Sequence, residues 1–376
     1  MVANNCFKVL LCIVQCIVQC FVAVLSISCS KDNYEERSGT KISFYPALAG
    51  STGSNIGSKS SAYTTANLDE FGVYAYSGAS SFNSDNSACA FMQNLKVYKP
   101  NGYGSWIYDD DPKIWPYKNK ISFFAYAPYI PDSGDEFIKI SYLKNNDSKG
   151  APVITCDQPA HINRHRDLLL SVPLYDMEQP NNGQVKINFI HALSKFEFYA
   201  KTSDAVSDSR EYSVEKISFE YVAYNGVFKY PESVQSSVSE ALNNYSVIPN
   251  YEELREYILL SSDYIIDSPI KKSDGTVTLI RDDLNFYLIP QLIDRDSENI
   301  KDVKITVIYS YTDDEDVKHT LTIQNNLSGI LRGVKSIELC KRYRLTFVLS
   351  ELSGDFNIDT EILPWDVKII DVPSFD

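Results

Sequence analysis

The chain of 376 residues is long enough for two domains, and its charge excludes one class of partner. With 49 Asp and Glu against 35 Lys and Arg, the formal net charge is −14, so binding to nucleic acid, which needs clustered cations, is not expected. Tyrosine (26) and phenylalanine (18) are abundant, and aromatic residues favour strands. The composition predicts an acidic, β-rich protein.

The N-terminal segment has the order of a secretory signal peptide. Lys8 supplies a positive charge, an apolar run follows over residues 9–25, and small serines precede Cys29. The exit sequence LSISC resembles a bacterial lipobox, in which the cysteine is diacylated and becomes the new N-terminus. An uncleaved membrane helix is the alternative, because a run of this length could span a bilayer. We expect residues 1–28 to be a lipoprotein signal peptide and Cys29 to be the lipidated residue, held in the outer membrane.

Residues 29–40 are polar and predict a flexible tether. The first strand follows in KISFYPAL, residues 41–48, where Ile42 and Phe44 alternate with Ser and Tyr. Gly, Ser, Thr and Asn dominate the next stretch, which predicts a long loop that is open to proteases.

Short aromatic or β-branched runs, separated by turn residues, continue along the chain. Evenly spaced short strands of this kind are typical of antiparallel sandwiches. The loop-like sequence MEQPNNG near residue 180 indicates a domain boundary. We therefore expect an all-β fold of two tandem antiparallel β-sandwich domains, over residues 41–180 and 181–376, with short helical insertions in the second.

Two local patterns in the second half predict particular elements. EKISFEYVAYNGVFKY is typical of a hairpin that turns at Asn225-Gly226. NYEELREYILL, residues 250–260, predicts a helix, because Asn250 can cap it and Glu253 completes a capping box.

The chemically reactive residue types show no pattern of a catalytic or metal site. His161 and His165 are four residues apart, but the neighbouring arginines would repel a cation, so metal binding is not expected. Cys89, Cys156 and Cys340 are far apart and are expected to be small buried hydrophobic residues. Because the sequence also lacks GxSxG, HExxH, P-loop and dinucleotide fingerprints, we expect no cofactor and no enzymatic activity.

One long motif resembles a known family. WIYDDDPKIWPYKNKISFFAYAP, residues 106–128, resembles the signature strand pair of the fimbrillin and minor-fimbrillin-like (Mfa-like) surface lipoproteins. FGVYAY, DLLLS, FIHALSKFEF, YLIPQ and Trp365 agree with that family in order along nearly the whole mature chain. The resemblance implies sandwiches of transthyretin-like, Greek-key topology, a lipidated precursor, and assembly into a fimbrium at the cell surface.

The resemblance also implies how subunits join. In the family, a protease removes the lipidated N-terminal segment, and a strand donated by the next subunit fills the slot that opens. Here the displaced strand would be residues 41–48, with Ile42 and Phe44 facing inward. Arg37, before that strand, and Lys59, after it, are the candidate processing sites. A subunit that stays uncut would fit the role of a membrane anchor.

The other end of the chain offers a candidate donor strand. Past Trp365, Val367 and Ile369 alternate on one face of a strand-like segment. An ordinary last strand that pairs within its own domain is the alternative interpretation, because only a short segment follows Trp365.

The expected partners are other fimbrial subunits, outer-membrane lipid, and a host glycan or protein. The alternative function is a free-standing surface lipoprotein, a carbohydrate-binding module whose exposed Tyr and Trp stack on sugar rings. An enzyme with two carboxylates set in a β-sandwich is a third class.

The lipobox yields a direct test. Protein from intact cells is expected to lack residues 1–28 and to carry a diacylated Cys29. A Cys29→Ala variant should lose the lipid mass and leave the membrane fraction, because no acyl chains then anchor it. Mass spectrometry of the N-terminal peptide measures the cleavage and the lipid mass. A mature chain that still contains residues 1–28 would instead support the uncleaved helix.

Overall fold

The computed structural model describes residues 39–48, 67–82, 89–102, 104–141, 151–207, 209–295, 300–351 and 357–365. Regular structure in these ranges consists mainly of short strands. The strands are β1 (Ser43–Leu48), β2 (Glu70–Gly78), β3 (Cys89–Tyr98), β4 (Lys120–Ala127), β5 (Ile138–Ser141), β6 (Val153–Asp157), β7 (Leu169–Ser171), β8 (Leu174–Met177), β9 (Gln184–His191), β10 (Ser194–Thr202), β11 (Tyr212–Ala223), β12 (Asn225–Lys229), β13 (Ser246–Pro249), β14 (Leu254–Leu260), β15 (Val277–Thr278), β16 (Phe286–Leu288), β17 (Gln291–Leu292), β18 (Lys304–Thr312), β19 (Lys318–Asn326), β20 (Ser336–Ile337), β21 (Lys341–Leu349) and β22 (Asn357–Pro364). The α-helices are α1 (Val238–Asn244) and α2 (Leu327–Ile330), and single 3-10 turns occur at Pro100–Gly102, Ile162–Arg164 and Lys272–Asp274.

The strands form four main sheets, and the prediction of an all-β fold is confirmed. Sheet I has the order β1-β9-β7-β4-β2-β3, with β8 also on β4, and sheet II has the order β13-β12-β6-β5. Sheet III has the order β15-β10-β21-β22, with β16 also on β10, and sheet IV has the order β14-β11-β18-β19. Two of the pairs, β1 with β9 and β10 with β21, are parallel, which the expectation of antiparallel sandwiches did not include.

The centre of sheet I is buried on both faces. Strand β4 shows why: Phe124 and Tyr126 belong to the core shared with sheet II, whereas Phe123 and Ala125 belong to a separate apolar cluster on the opposite face. Successive side chains of a strand point to opposite faces, so a strand with two buried faces has a nearly continuous apolar sequence. The run ISFFAYA in β4 has this pattern.

Sheets III and IV enclose a core of their own. Phe196, Phe198 and Phe347 from sheet III pack in one cluster with Phe219 and Tyr309 from sheet IV. The rings of Phe196 and Phe219 meet edge to face with centroids 5.4 Å apart, an arrangement that adds to the gain from burial.

The strand pairing crosses the predicted domain boundary at residue 181. Strand β9 pairs with β1 and β7 in sheet I, and β12 pairs with β6 in sheet II. Residues from the predicted second domain therefore complete both sheets of the first.

The helix predicted over residues 250–260 is wrong, because strand β14 occupies most of this segment. Tyr257 and Leu259 are buried, whereas Ile258 and Leu260 are exposed, which is a period of two. The strand pairs antiparallel with β11. The capping residue Asn250 instead makes a local turn, in which its side-chain oxygen accepts a hydrogen bond from the backbone N–H of Glu252 at 3.0 Å.

The hairpin predicted at Asn225-Gly226 is also wrong. Strand β11 pairs with β14 and β18 in sheet IV, whereas β12 pairs with β6 and β13 in sheet II. The chain therefore passes from one sheet to another at Tyr224. Gly226 is needed for close packing here, because a Cβ atom on it would lie 2.9 Å from Ile289.

Helix α1 carries a signal that the sequence analysis missed. Ser237 caps it by accepting a hydrogen bond from the N–H of Glu240 at 3.1 Å, and Glu240 reaches back to the N–H of Ser236 at 2.7 Å. Ser237-x-x-Glu240 is thus close to a capping box. In the described ranges, no helix is long and apolar enough to cross a membrane.

His165, which lies between β6 and β7, connects this part of the chain to strand β16. Its Nε2–H donates to the carbonyl of Pro159 at 2.9 Å, and its Nδ1 accepts from the N–H of Tyr287 in β16 at 3.2 Å. The ring stacks on Phe286 with centroids 5.5 Å apart. Burial lowers the pKa of this imidazole to about 3, so the histidine is neutral in the folded protein.

This burial makes stability depend on pH. An unfolded histidine takes up a proton near pH 6.5, whereas folded His165 does so only near pH 3, so stability is full above pH 6.5 and falls as the pH drops through this window. At pH 4.5 the free energy of unfolding should be lower by roughly 2–3 kcal/mol from this group.

Urea unfolding at pH 7.5 and 4.5 measures the effect. His165→Gln should weaken the pH dependence by about that amount, and His161→Gln, at an exposed position, is the control. An unchanged pH dependence in His165→Gln would contradict the assignment.

Candidate functional site

Strand β1 lies at the edge of sheet I among the described residues and, together with Ile42 directly before it, presents four side chains to the interior. It pairs parallel with β9, from Ser43 opposite Gln184 to Leu48 opposite Phe189. Ile42, Phe44, Pro46 and Leu48 are buried, whereas Tyr45, on the other face, is 48% exposed. The two residues predicted to face inward, Ile42 and Phe44, do so.

The pocket around Phe44 is aromatic. Its ring lies 6.0–6.3 Å from the rings of Phe71, Tyr108 and Phe123, all in edge-on arrangements. Val185 and Ile187 of β9 belong to the same apolar cluster as Phe44. Each fully buried side chain of β1 contributes about 1.5–3 kcal/mol, so removal of the strand would expose a costly apolar surface.

The first end of β1 is bonded on both sides. The N–H of Ile42 donates to the carbonyl of Lys113 at 2.8 Å, and the N–H of Trp115 donates to the carbonyl of Thr40 at 3.0 Å. The hydroxyl of Tyr108 donates to the carbonyl of Ile42 at 2.9 Å. From Ser43 onward, in the part of the chain that the structure describes, β1 pairs with β9 alone. The strand is thus hydrogen-bonded on both sides at its start, and along the rest of its length it has a β-sheet partner on one side only among the described residues.

Gly183 forms the corner against which β1 begins. Its carbonyl accepts hydrogen bonds from the N–H of Ser43 at 3.3 Å and from the indole N–H of Trp115 at 3.0 Å. Its φ is +71°, and a Cβ atom there would lie 2.4 Å from Thr40 and 2.5 Å from the carbonyl oxygen of Lys41. Only glycine fits this corner without moving the start of β1.

The other predicted site residues lie outside the described residues. They are Cys29, Arg37, Lys59, Val367 and Ile369.

The C-terminal tail, which we define as residues 366–376, begins at a fixed point. Trp365 is 3% exposed, and its ring stacks on His191 with centroids 3.8 Å apart and on Tyr287 at 5.4 Å. Its N–H donates to the carbonyl of Cys340 at 2.9 Å. Strand β22, just before it, pairs with β21 at the edge of sheet III.

The chemically reactive side chains of His191, Cys156 and Cys340 are buried inside the fold. His191 lies 2.8 Å from a carboxylate oxygen of Asp167, and both side chains are buried. Cys156 and Cys340 are buried thiols, as predicted, and burial raises the pKa of Cys156 to about 12. No group of three metal-ligating side chains converges within the described ranges.

Cations cover the faces of several aromatic rings at the surface. In each pair a Lys or Arg head group lies within 5 Å of a ring centroid, close enough for a cation–π contact. The pairs are Arg255 with Tyr224, Arg295 with Tyr251, Lys99 with Trp106, and Lys301 with Tyr221. One face of each of these rings is therefore covered by a cation.

The corner at Gly183 yields a test of how β1 is held. Gly183→Ala should lower the free energy of unfolding by about 1–3 kcal/mol and speed amide exchange in residues 40–48, because the new methyl group collides with the start of β1. Gly275→Ala is the matched control, since Gly275 has a similar φ of +67° but nothing within 4 Å of its added Cβ. Equal effects of the two variants would mean that backbone strain alone acts.

Comparison with known proteins assigns this architecture to a family. The model of the fimbrillin-like family matches residues 58–365. The fimbrium subunit Fim1C of Phocaeicola vulgatus is 26% identical over 290 residues, 72% of this chain and 73% of that protein. The crystal structure of a fimbrial protein from Bacteroides vulgatus superposes with a TM-score of 0.61 at 19% identity, over 87% of this chain and 99% of that one. The match to the family model spans most of the sequence, and the chain belongs to the fimbrillin-like family.

Proposed function

We propose that this chain is a lipid-anchored subunit of a cell-surface fimbrium that joins its neighbours by strand exchange. Membership of the fimbrillin-like family and the similarity to a fimbrium subunit support a structural, non-catalytic role in such an assembly. Lipid on Cys29 would hold the precursor in the outer membrane.

The edge strand β1 is the observation that carries the proposal. Three inward side chains of β1, the inward Ile42 directly before it, and one β-sheet partner in the described residues make this segment a unit that a strand from another chain can replace with the same contacts. Because the joint is head-to-tail, it extends into a filament rather than closing into a dimer. In this scheme, Val367 and Ile369 of the tail would fill the corresponding slot of the next subunit.

The two candidate processing sites lie on opposite sides of β1 in the sequence, so cleavage at each would have a different result. A cut at Arg37 would remove the lipid but leave β1 in its slot, since Arg37 precedes the strand. A cut at Lys59 would release the lipid together with β1. Lys59 is therefore the processing site that fits a subunit within the fimbrium, whereas a chain left uncut would serve as the anchor.

The alternative function, a carbohydrate-binding module, has weaker support, because the comparisons are with fimbrial proteins. Lys and Arg side chains cover one face of Tyr224, Tyr251 and Trp106, whereas Tyr117 is 89% exposed.

The proposed function can be tested on purified protein with a specific protease site inserted at residues 57–62. After cleavage, a labelled peptide of residues 41–48 should bind by exchange with β1, measured by fluorescence anisotropy, whereas the uncut protein should bind none. The same peptide with Phe44→Asp should bind at least about 100-fold more weakly, because a carboxylate would enter the aromatic pocket. Failure of the cleaved protein to exchange the peptide would contradict strand exchange at this site.

A further inference from the structure

A polar groove of about 710 Å³ lies between strand β19 of sheet IV and strand β22 of sheet III. We propose that this groove binds an acidic sugar, which is a sugar ring that carries several hydroxyl groups and one carboxylate. The inference goes beyond the proposed function, because strand exchange at β1 needs no such ligand.

The groove lies where two sheets of one sandwich each have an edge strand. Among the described residues, β19 pairs only with β18, and β22 pairs only with β21. Residues 324–326, at the end of β19, line one side of the groove, and residues 357–359, at the start of β22, line the other. An edge strand leaves backbone N–H and C=O groups unpaired, so both sides of the groove offer hydrogen bonds to a ligand.

Two cations in the groove have no acidic partner. Lys304 in β18 and Arg332 after α2 both line it, and neither makes an ion pair with any residue that the structure describes. Asp359 also lines the groove, but its carboxylate lies 2.8 Å from Nζ of Lys201 and is thereby compensated. The uncompensated charge of the lining is therefore positive, and Arg and Lys at such a position favour a carboxylate.

Four amide side chains add donors and acceptors to the same lining. Nδ2 of Asn326 donates to Asp302 at 3.2 Å, and Nε2 of Gln324 donates to Thr306 at 3.1 Å, which fixes both amides with a carbonyl oxygen left as an acceptor. An amide has two donors and one acceptor, so it can bind two neighbouring hydroxyl groups of a sugar. The amides of the lining are Gln324, Asn325, Asn326 and Asn357.

The apolar part of the lining is small. Ile330 and Ile358 are half-buried and pack against the core between sheets III and IV, so they offer a limited aliphatic surface to the C–H groups of a sugar ring. An added peptide strand would need apolar pockets for alternate side chains, whereas β19 presents only polar residues here. The volume lies within the range of about 300–1,000 Å³ that is usual for small-ligand sites.

Binding of short acidic oligosaccharides to the uncut protein tests the inference. Sialyllactose or an oligogalacturonate should bind, measured by isothermal titration calorimetry, and the two probes distinguish a sialic acid from a uronic acid as the ligand. Lactose and the methyl ester of the oligogalacturonate are the neutral counterparts, and they should bind at least about 10-fold more weakly because they lack the carboxylate.

Variants of the lining locate the binding in the groove. Arg332→Gln and Lys304→Gln should each weaken it at least about 10-fold, whereas Lys335→Gln, the matched control, should change it less than about 2-fold. Lys335 is an exposed cation close to Arg332 in the sequence, but it does not line the groove. Gly329→Trp should abolish binding, because Gly329 lines the groove and nothing lies within 4 Å of a Cβ atom added there, so the ring occupies the groove without displacing the fold.

The outcomes separate the inference from the proposed function. If neither acidic oligosaccharide binds, or if the neutral counterparts bind equally well, the inference is overturned. Equal effects of Arg332→Gln and Lys335→Gln would also overturn it, since the groove would not be where the carboxylate binds. None of these results affects strand exchange, which is measured separately with peptide 41–48 on the cleaved protein. Conversely, acidic sugars that bind to a protein that fails to exchange that peptide would support the groove and contradict the proposed function.

Discussion

The burial of the centre of sheet I on both faces is the constraint on which the rest of the structure depends. One face shares a core with sheet II, and the other carries the cluster that contains Phe71, Phe123 and the inward side chains of β1. At the edge of the sheet, β1 covers this second cluster with its inward side chains, while Tyr45 on its other face is exposed. Loss of β1 would therefore expose apolar surface at this edge.

The start of β1 and Trp365, at the start of the tail, are held by different kinds of contact. At the start of β1, Gly183, Tyr108 and Trp115 hold the backbone through hydrogen bonds. At the start of the tail, Trp365 is held by stacking and by one backbone hydrogen bond to Cys340. Both sets of contacts join residues that are far apart in the chain.

The pattern of apolar residues predicted most strands correctly. It failed where the same residues fit both the period of a helix and the period of a strand. In residues 250–260, Leu254, Tyr257 and Ile258 have the spacing of a helical face, yet Tyr257 and Leu259 are the buried pair. A segment this short fits both periods, and pairing with β11 decides between them. At Asn225-Gly226 the turn residues are present, but Gly226 packs against Ile289 and the chain changes sheets.

The sequence by itself determined the all-β class and the inward positions of Ile42 and Phe44, because alternation is a local property of a strand. The tertiary structure alone decided that β1 pairs parallel with β9, that Gly183 and Lys113 clamp its start, and that Trp365 is stacked on His191. These contacts join residues that are far apart in the chain, and only the packing of complete sheets brings them together.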